Sequence, residues 1–305
     1  MTTTSPHRVE SPAPPNLSRP RDWTGWAFVG PFMGVFVLVL VAPVLYSIYL
    51  SGFRQQLMGG NSFVGIDNYT KALTDPQFYD AVGRVSLFLV VQVPIMLGLA
   101  LVAALAIDSA RLHFAPFFRL SIFLPYAVPA VVATLMWGFM YGTRFGLVGN
   151  LNDLFGIVLP APLSNRWVLA AIGNIVTWEF VGYNMLIFYS ALRVIPGDLF
   201  EAAELDGAGA FRVIRSIKLP ALRPALMIAT IFSVIGSFQI FNEPNILKPL
   251  APNAISTYFT PNMYAYNLSF AGQQFNYAAA IAIIMGVVTM VIAYVVQLSG
   301  TRKEI

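Results

Sequence analysis

Six long apolar runs, almost free of charged side chains, constrain this chain more than any other feature. They fall at about 26–52, 85–107, 120–142, 168–192, 224–242 and 277–298. Five contain no Asp, Glu, Lys or Arg, and the fourth contains only Glu179. A helical span needs about 20 apolar residues to cross a bilayer. A helix also satisfies its own backbone, which is the condition for standing in lipid. The runs therefore predict an all-α integral membrane protein of about six transmembrane helices. Composition agrees: of 305 residues, 57% are hydrophobic and 10% charged, where a soluble domain carries about 25% charged residues. Pro94, Pro125 and Pro129 would break helices in water, but within these runs they predict kinks. The fifth run is the shortest.

Outside the runs, residues 1–22 are rich in Ser, Pro, Thr and Arg, which predicts a disordered tail rather than a cleaved signal. Residues 23–300 then form the membrane domain, and 301–305 a short C-terminus. Lys and Arg divide roughly two to one between the two sets of connections, which predicts both termini in the cytoplasm. The net charge of +4 is scattered, with no basic patch carrying interleaved aromatics, so nucleic acid is not an expected partner. No cysteine occurs, and the two histidines, His7 and His113, lie in the tail and in a polar connection. Disulfides, thiolate chemistry and a His-based metal site are therefore excluded or unsupported. Catalysis in the membrane would need a partner for Glu179, and no other ionisable residue lies deep in a span, so no catalytic residue is assigned.

The connection 193–223 is the most polar between spans. Asp198 is placed to cap a first short helix, with Glu201 three residues on. Gly207 can take the left-handed conformation that ends it. A second helix is expected from about Gly209 to Lys218, with Phe211, Ile214 and Ile217 forming an apolar stripe. Pro220 is expected to end it, because Leu219 before a proline avoids the helical region. The result is a stiff knuckle with an apolar ridge and charged flanks. A channel working without ATP would have no use for such an ordered loop.

Here the sequence resembles the permease subunits of ATP-binding-cassette importers. Their signature is Glu-Ala-Ala, three residues, Gly, nine residues, Ile, one residue, Leu-Pro. It is matched by Glu201, Ala202, Ala203, Gly207, Ile217, Leu219 and Pro220, with Asp206 preceding the glycine. The resemblance extends to Pro43, Ser51-Gly52-Phe53, the run Phe63 to Tyr69, Asp75-Pro76-Gln77-Phe78 and Phe238-Gln239-Ile240-Phe241-Asn242. These strings look like the first of the two unlike permeases in maltose- and glycerol-phosphate-type systems. Where many relatives have Thr-Gly-Gly-Pro, this chain has Lys248-Pro249-Leu250-Ala251-Pro252-Asn253.

The resemblance implies a type I ABC importer permease fold in the bacterial inner membrane, with 193–223 as the cytoplasmic coupling loop. It implies three kinds of protein partner: a second, unlike permease, two copies of a cytoplasmic ATPase, and an extracytoplasmic solute-binding lipoprotein. ATP and Mg would be used by the ATPase, since this chain has no Gly-x-x-x-x-Gly-Lys-Ser/Thr phosphate loop. The cargo would be a sugar or similar small polar solute.

The coupling assignments are Glu201, Ala202, Ala203, Asp206, Gly207, Phe211, Ile214, Ile217, Leu219 and Pro220. For the solute path the candidates are Glu179, Tyr183, Asn184, Ser233, Ser237, Gln239 and Asn242. A carboxylate near the middle of a span should face protein or water, and helical spacing puts Glu179, Gly182, Tyr183 and Leu186 on one face. Glu179 has two readings, a hydrogen-bond acceptor for sugar hydroxyls or a structural carboxylate. The small hydroxyl residues of the fifth span have two as well, path lining or helix-packing glue. The aromatic, amide-rich segment 243–276 suits either sugar contact or an interfacial belt.

Overall fold

A computed structural model describes residues 24–56, 60–109 and 112–301. The expected tail at 1–22 and the last four residues lie outside the described part. The chain divides at Tyr46 and Ser47 into two units. The first holds helix α1 (Thr24–Phe36), a π-helical turn (Val37–Val41) and the first half of α2 (Ala42–Ser51). Trp26, Phe28 and Leu38 stand exposed on it, as on a helix meant for lipid or a partner rather than for a core of its own.

The second unit continues from Ser47. A hairpin of β1 (Phe53–Gln56) and β2 (Gly60–Phe63) pairs antiparallel, with Phe53 opposite Phe63, and is the one sheet among the described residues of an otherwise helical chain. Helix α3 (Asp67–Ala72) follows. Asn68 donates to the carbonyls of Ser51 and Phe53 at 2.8 and 2.7 Å and ties α3 to the hairpin base.

Helix α4 (Pro76–Asp108) is the longest element and starts nine residues before the second apolar run. Asp75 caps it by accepting from the Gln77 amide at 2.9 Å, and Pro76 takes the first turn, where a missing N–H is harmless. Pro94 leaves α4 unbroken.

The third run behaves differently. Helix α5 (Ala115–Phe123) tightens into a 3-10 turn (Leu124–Ala127), and α6 (Ala130–Met140) leaves at 97°. The cause is Pro129, which forces Val128 out of the helical region to φ −79°, ψ 130°. The run expected as one kinked span is a broken one. Helix α7 (Leu147–Phe155) lies in the following connection. Helix α8 (Val168–Leu192) coincides with the fourth run.

The knuckle comprises α9 (Asp198–Leu205), α10 (Ala210–Val213), a π turn (Ile214–Lys218) and α11 (Leu219–Ala221). The fifth run is α12 (Arg223–Phe238), followed by α13 (Asn242–Leu247). The bundle closes with α14 (Pro261–Phe270) and α15 (Phe275–Thr301).

Two packed layers of core sit along α4 and α8. One gathers Val85, Phe88, Ile172, Phe238, Met263 and Ile281. The other gathers Met96, Ala100, Ala104, Phe188, Leu222 and Ala229, where small residues let helix backbones approach closely. The tightest approach is at Gly182. A Cβ there would lie 2.0 Å from the Ile122 carbonyl oxygen, so α8 and α5 touch backbone to backbone.

Each π turn is followed, after one residue, by a proline, Pro43 and Pro220. At each, the amide just before the proline bonds back five residues, Ala42 to Val37 and Leu219 to Ile214. Proline cannot bond the carbonyl four residues back and its ring crowds it. The wider turn absorbs that defect.

Candidate functional site: a chamber and a knuckle

Residues of α4, α8 and α12 line a chamber of about 400 Å³, and Tyr126 from the break in the third run joins its wall. Six of the seven expected path residues line it: Tyr183, Asn184, Ser233, Ser237, Gln239 and Asn242. They converge because α8 presents Val176, Phe180 and Tyr183 at helical spacing. The chain leaves helical geometry from Gln239 to Phe241 and resumes it at Asn242, and Gln239 to Glu243 all line the chamber.

Glu179, the seventh, does not line the chamber. It is 3% exposed, and neither carboxylate oxygen has a hydrogen-bond partner among the described residues. It lies within electrostatic reach of Glu243, which does line the wall and is 8% exposed. Glu243 escaped notice in the sequence because it falls just past the fifth run, in a segment read as connection.

Aromatic residues supply the rest of the wall. Tyr126, from the 3-10 turn, stacks on Tyr183 with ring centroids 4.9 Å apart and planes at 19°. Phe180 meets Tyr126 edge-on at 5.8 Å. Tyr126, Gln92 and Met96 lie outside the expected site, since only the bend at Pro129 and the pairing of α4 with α8 bring them there; Phe180 shares the face of Tyr183 on α8 and was legible from helical spacing. Gln92 donates to Thr177 at 3.3 Å. Ser237 donates to the Ser233 carbonyl at 2.8 Å, and Thr230 to that of Leu226 at 2.7 Å, so these hydroxyls bond back along α12. No Lys, Arg or His is among the described residues that line the chamber.

The knuckle differs from expectation in two places. Asp198 is the first helical residue of α9 and not its cap; Gly197 holds the cap position and contributes no side chain. Its carbonyl accepts from the amides of Phe200 and Glu201 instead. Pro220 does not end the second helix. Leu219 stays helical at φ −63°, ψ −43°, because the π turn makes room for the proline, and the helix runs to Ala221.

Gly207 behaves as expected, with φ +71°. The Ala208 amide reaches the Ala203 carbonyl at 2.8 Å and the Gly207 amide that of Glu204 at 3.0 Å, the paired bonds of a Schellman motif. Glu201, Ala202 and Asp206 are exposed on this turn. Phe211 is 76% exposed and Leu205 91%, while Ile214, Ile217, Leu219 and Pro220 are half-buried. No residue from Asp198 to Ala221 is fully buried.

A bundle that encloses a polar, aromatic chamber and carries a stiff exposed knuckle is built as the membrane-spanning subunit of a transporter. Residues 74–303 match the family described as binding-protein-dependent transport system inner membrane component, and the chain belongs to it. It is 31% identical to a lactose transport system permease protein of Rhizobium radiobacter, over 95% of this chain and 97% of that one. It is 32% identical to a diacetylchitobiose uptake system permease protein of Streptomyces coelicolor, over 89% and 80% of the two chains. The same fold occurs in a bacterial ABC transporter involved in the import of the acidic polysaccharide alginate. There the TM-score is 0.83 at 20% identity, covering 92% of this chain and 96% of that one.

Proposed function

We propose that this chain passes a sugar or oligosaccharide, handed over by an extracytoplasmic binding protein, through the chamber between α4, α8 and α12. The observation that carries the reading is the chamber wall. Sugars present apolar C–H faces ringed by hydroxyls. Stacked Tyr126 and Tyr183 offer flat apolar faces to the first. Asn184, Gln239 and Asn242 can offer both donors and acceptors to the second, and Glu243 acceptors. Relatives that carry lactose and diacetylchitobiose in their names support a saccharide cargo.

ATP and Mg would be used by two copies of a separate cytoplasmic ATPase, seated on the knuckle through Glu201, Ala202, Ala203 and the exposed ridge at Phe211. A second, unlike permease completes the path. Both termini lie in the cytoplasm on this reading. Reporter fusions placed in 54–84 and in 193–223 then report opposite sides of the membrane.

The test is uptake of labelled disaccharide by proteoliposomes containing the whole importer. Tyr183→Ala is expected to lower uptake by roughly tenfold, with the ATPase still associated. Wild-type uptake by both Tyr183→Ala and Asn242→Ala would remove the chamber from the path.

A further inference from the structure

The geometry points to Asp108 and Lys218 as the joint through which the knuckle moves the chamber wall. Lys218 Nζ lies 2.6 Å from Asp108 Oδ2, with the two side chains 14% and 10% exposed. The partners are 110 residues apart in sequence. Asp108 is the last residue of α4, and Lys218 is the last residue of the π turn that follows α10. The same ammonium sits 5.5 Å from the ring centroid of Phe200, on α9 beside Glu201. One cation therefore touches the first helix of the knuckle, belongs to the second, and is salt-bridged to the end of a membrane helix.

What lies at the other end of α4 makes this a joint and not only a brace. Met96 and Gln92, on the chamber wall, precede Asp108 by twelve and sixteen residues on one unbroken helix. At 1.5 Å per residue that is about 18 and 24 Å of stiff rod. A push on α9 reaches Lys218 through Phe200, reaches Asp108 through the ion pair, and arrives at the chamber through α4. This ion pair is a charged, hydrogen-bonded tie between segment 198–221 and α4, beside the apolar packing of Leu222 in the core that α4 shares.

Stability alone gives a weak reason for such a pair. A buried ion pair loses most of its Coulombic gain to desolvation, and an apolar pair of similar size often serves the fold as well. A charge-assisted bond does fix direction and register, and a lever joint needs both.

The inference rests on the reading of 198–220 as the ATPase seat, and the experiment separates the two. The full importer, with its ATPase and binding protein, is reconstituted with Asp108→Asn, with Lys218→Met, with the swap of Asp108→Lys and Lys218→Asp, and with Glu201→Lys. Uptake and ATP hydrolysis are measured together. Each single variant at the joint is expected to keep ATP hydrolysis within about twofold and to lower uptake per ATP by roughly tenfold, the scale of coupling-network substitutions. The swap is expected to recover most of that loss, which a simple effect on folding does not predict.

Single variants with wild-type uptake per ATP overturn the inference, as does a swap no better than either single variant or one that fails to assemble. Should a single variant fail to assemble, the assembled swap decides: coupled supports the joint, uncoupled overturns it. Wild-type coupling in Glu201→Lys counts against the seat itself. Uncoupling or loss of the ATPase in Glu201→Lys with normal joint variants counts against the joint alone.

Discussion

The hydroxyl of Tyr264 donates to Oδ2 of Asp75 at 2.5 Å across 189 positions of sequence, and Tyr277 donates to the same oxygen at 2.8 Å. Asp75 also caps α4, so one carboxylate fastens the start of α4 to α14 and α15. Lys71 stands 4.0 Å over the Tyr277 ring and completes the clasp. Burial pushes the Asp75 carboxyl upward, but the two phenols and the amides of Gln77 and Phe78 outweigh it and hold the group below its ordinary 3.8. Burial, and then Asp75 itself, push the Tyr264 phenol above its ordinary 10.0.

The sign follows from these directions. Stability from Asp75 is complete above pH 3.8 and is lost as pH falls through the lowered value. Stability from the Tyr264 phenol is complete below pH 10.0 and is lost as pH rises through the raised value. Asp75→Asn should cost about 1.5–3 kcal/mol at pH 7, as expected for hydrogen bonds to a charged group. Thermal unfolding in detergent should show the gap between wild type and variant closing below pH 4. A gap that stays constant from pH 7 to pH 3 would show that Asp75 is not the titrating clasp.

Glu179 presents the opposite case, a carboxylate with no partner among the described residues and a second carboxylate, Glu243, nearby. Glu179→Gln removes an ionisable group from a buried site beside a second carboxylate. It is expected to raise stability by about 1–2 kcal/mol and to lower solute uptake, because groups held against stability are usually held for activity. Thermal unfolding and uptake assays on the same preparation check both halves. A variant that is less stable, or that transports normally, would show that Glu179 is a structural carboxylate without a role in transport.

Gly182 tests the contact between α8 and the broken span. A Cβ at Gly182 would sit 2.0 Å from a backbone oxygen, whereas at Gly173 it would sit 3.4 Å from Gln92 Cγ. Gly182→Ala should therefore destabilise by about 1–3 kcal/mol, the usual range for overpacking. Gly173→Ala should be near neutral. Because the 3-10 turn carrying Tyr126 follows Ile122 by two residues, Gly182→Ala should also reduce uptake. Equal melting temperatures for the two variants would refute the close approach.

Gly207→Val forces a β-branched residue to a positive φ and breaks the paired bonds of the turn. Glu201→Lys reverses the charge of an exposed residue six positions before it. Both are expected to weaken retention of the ATPase by at least about tenfold while membrane insertion is unchanged, given that seating one apolar side chain is worth roughly 1.5–3 kcal/mol. Co-purification of the ATPase with each variant is the measurement. Undiminished retention by both, with normal coupling, would mean that the knuckle is not the seat.

How far the sequence could be read depends on the range of the interaction concerned. Lipid acts on every residue of a span in the same way, so long uncharged runs specify membrane helices without knowledge of their neighbours. Four of the six runs stand as continuous helices for that reason, and the fifth is helical as far as Phe238. The Gly207 turn was legible because a positive φ is a local property of one residue. Local rules misled where a neighbouring turn could adjust. The π turn let Leu219 stay helical before Pro220, and Gly197 displaced Asp198 from its cap.

A kink at Pro125 and Pro129 was legible, but not a break of 97°, which depends on how α5 and α6 pack on α8. The chamber was half legible. Tyr183, Asn184, Ser233 and Ser237 stood out as polar residues on apolar helices, whereas Tyr126 and Glu243 became part of it only when distant segments met. The pairs Asp75 with Tyr264 and Asp108 with Lys218 were invisible in the chain, being 189 and 110 positions apart. Solvation of single residues is written along a sequence. Pairing between residues is not, because any of several acids and bases could satisfy one another until packing brings two within 3 Å and closes off water.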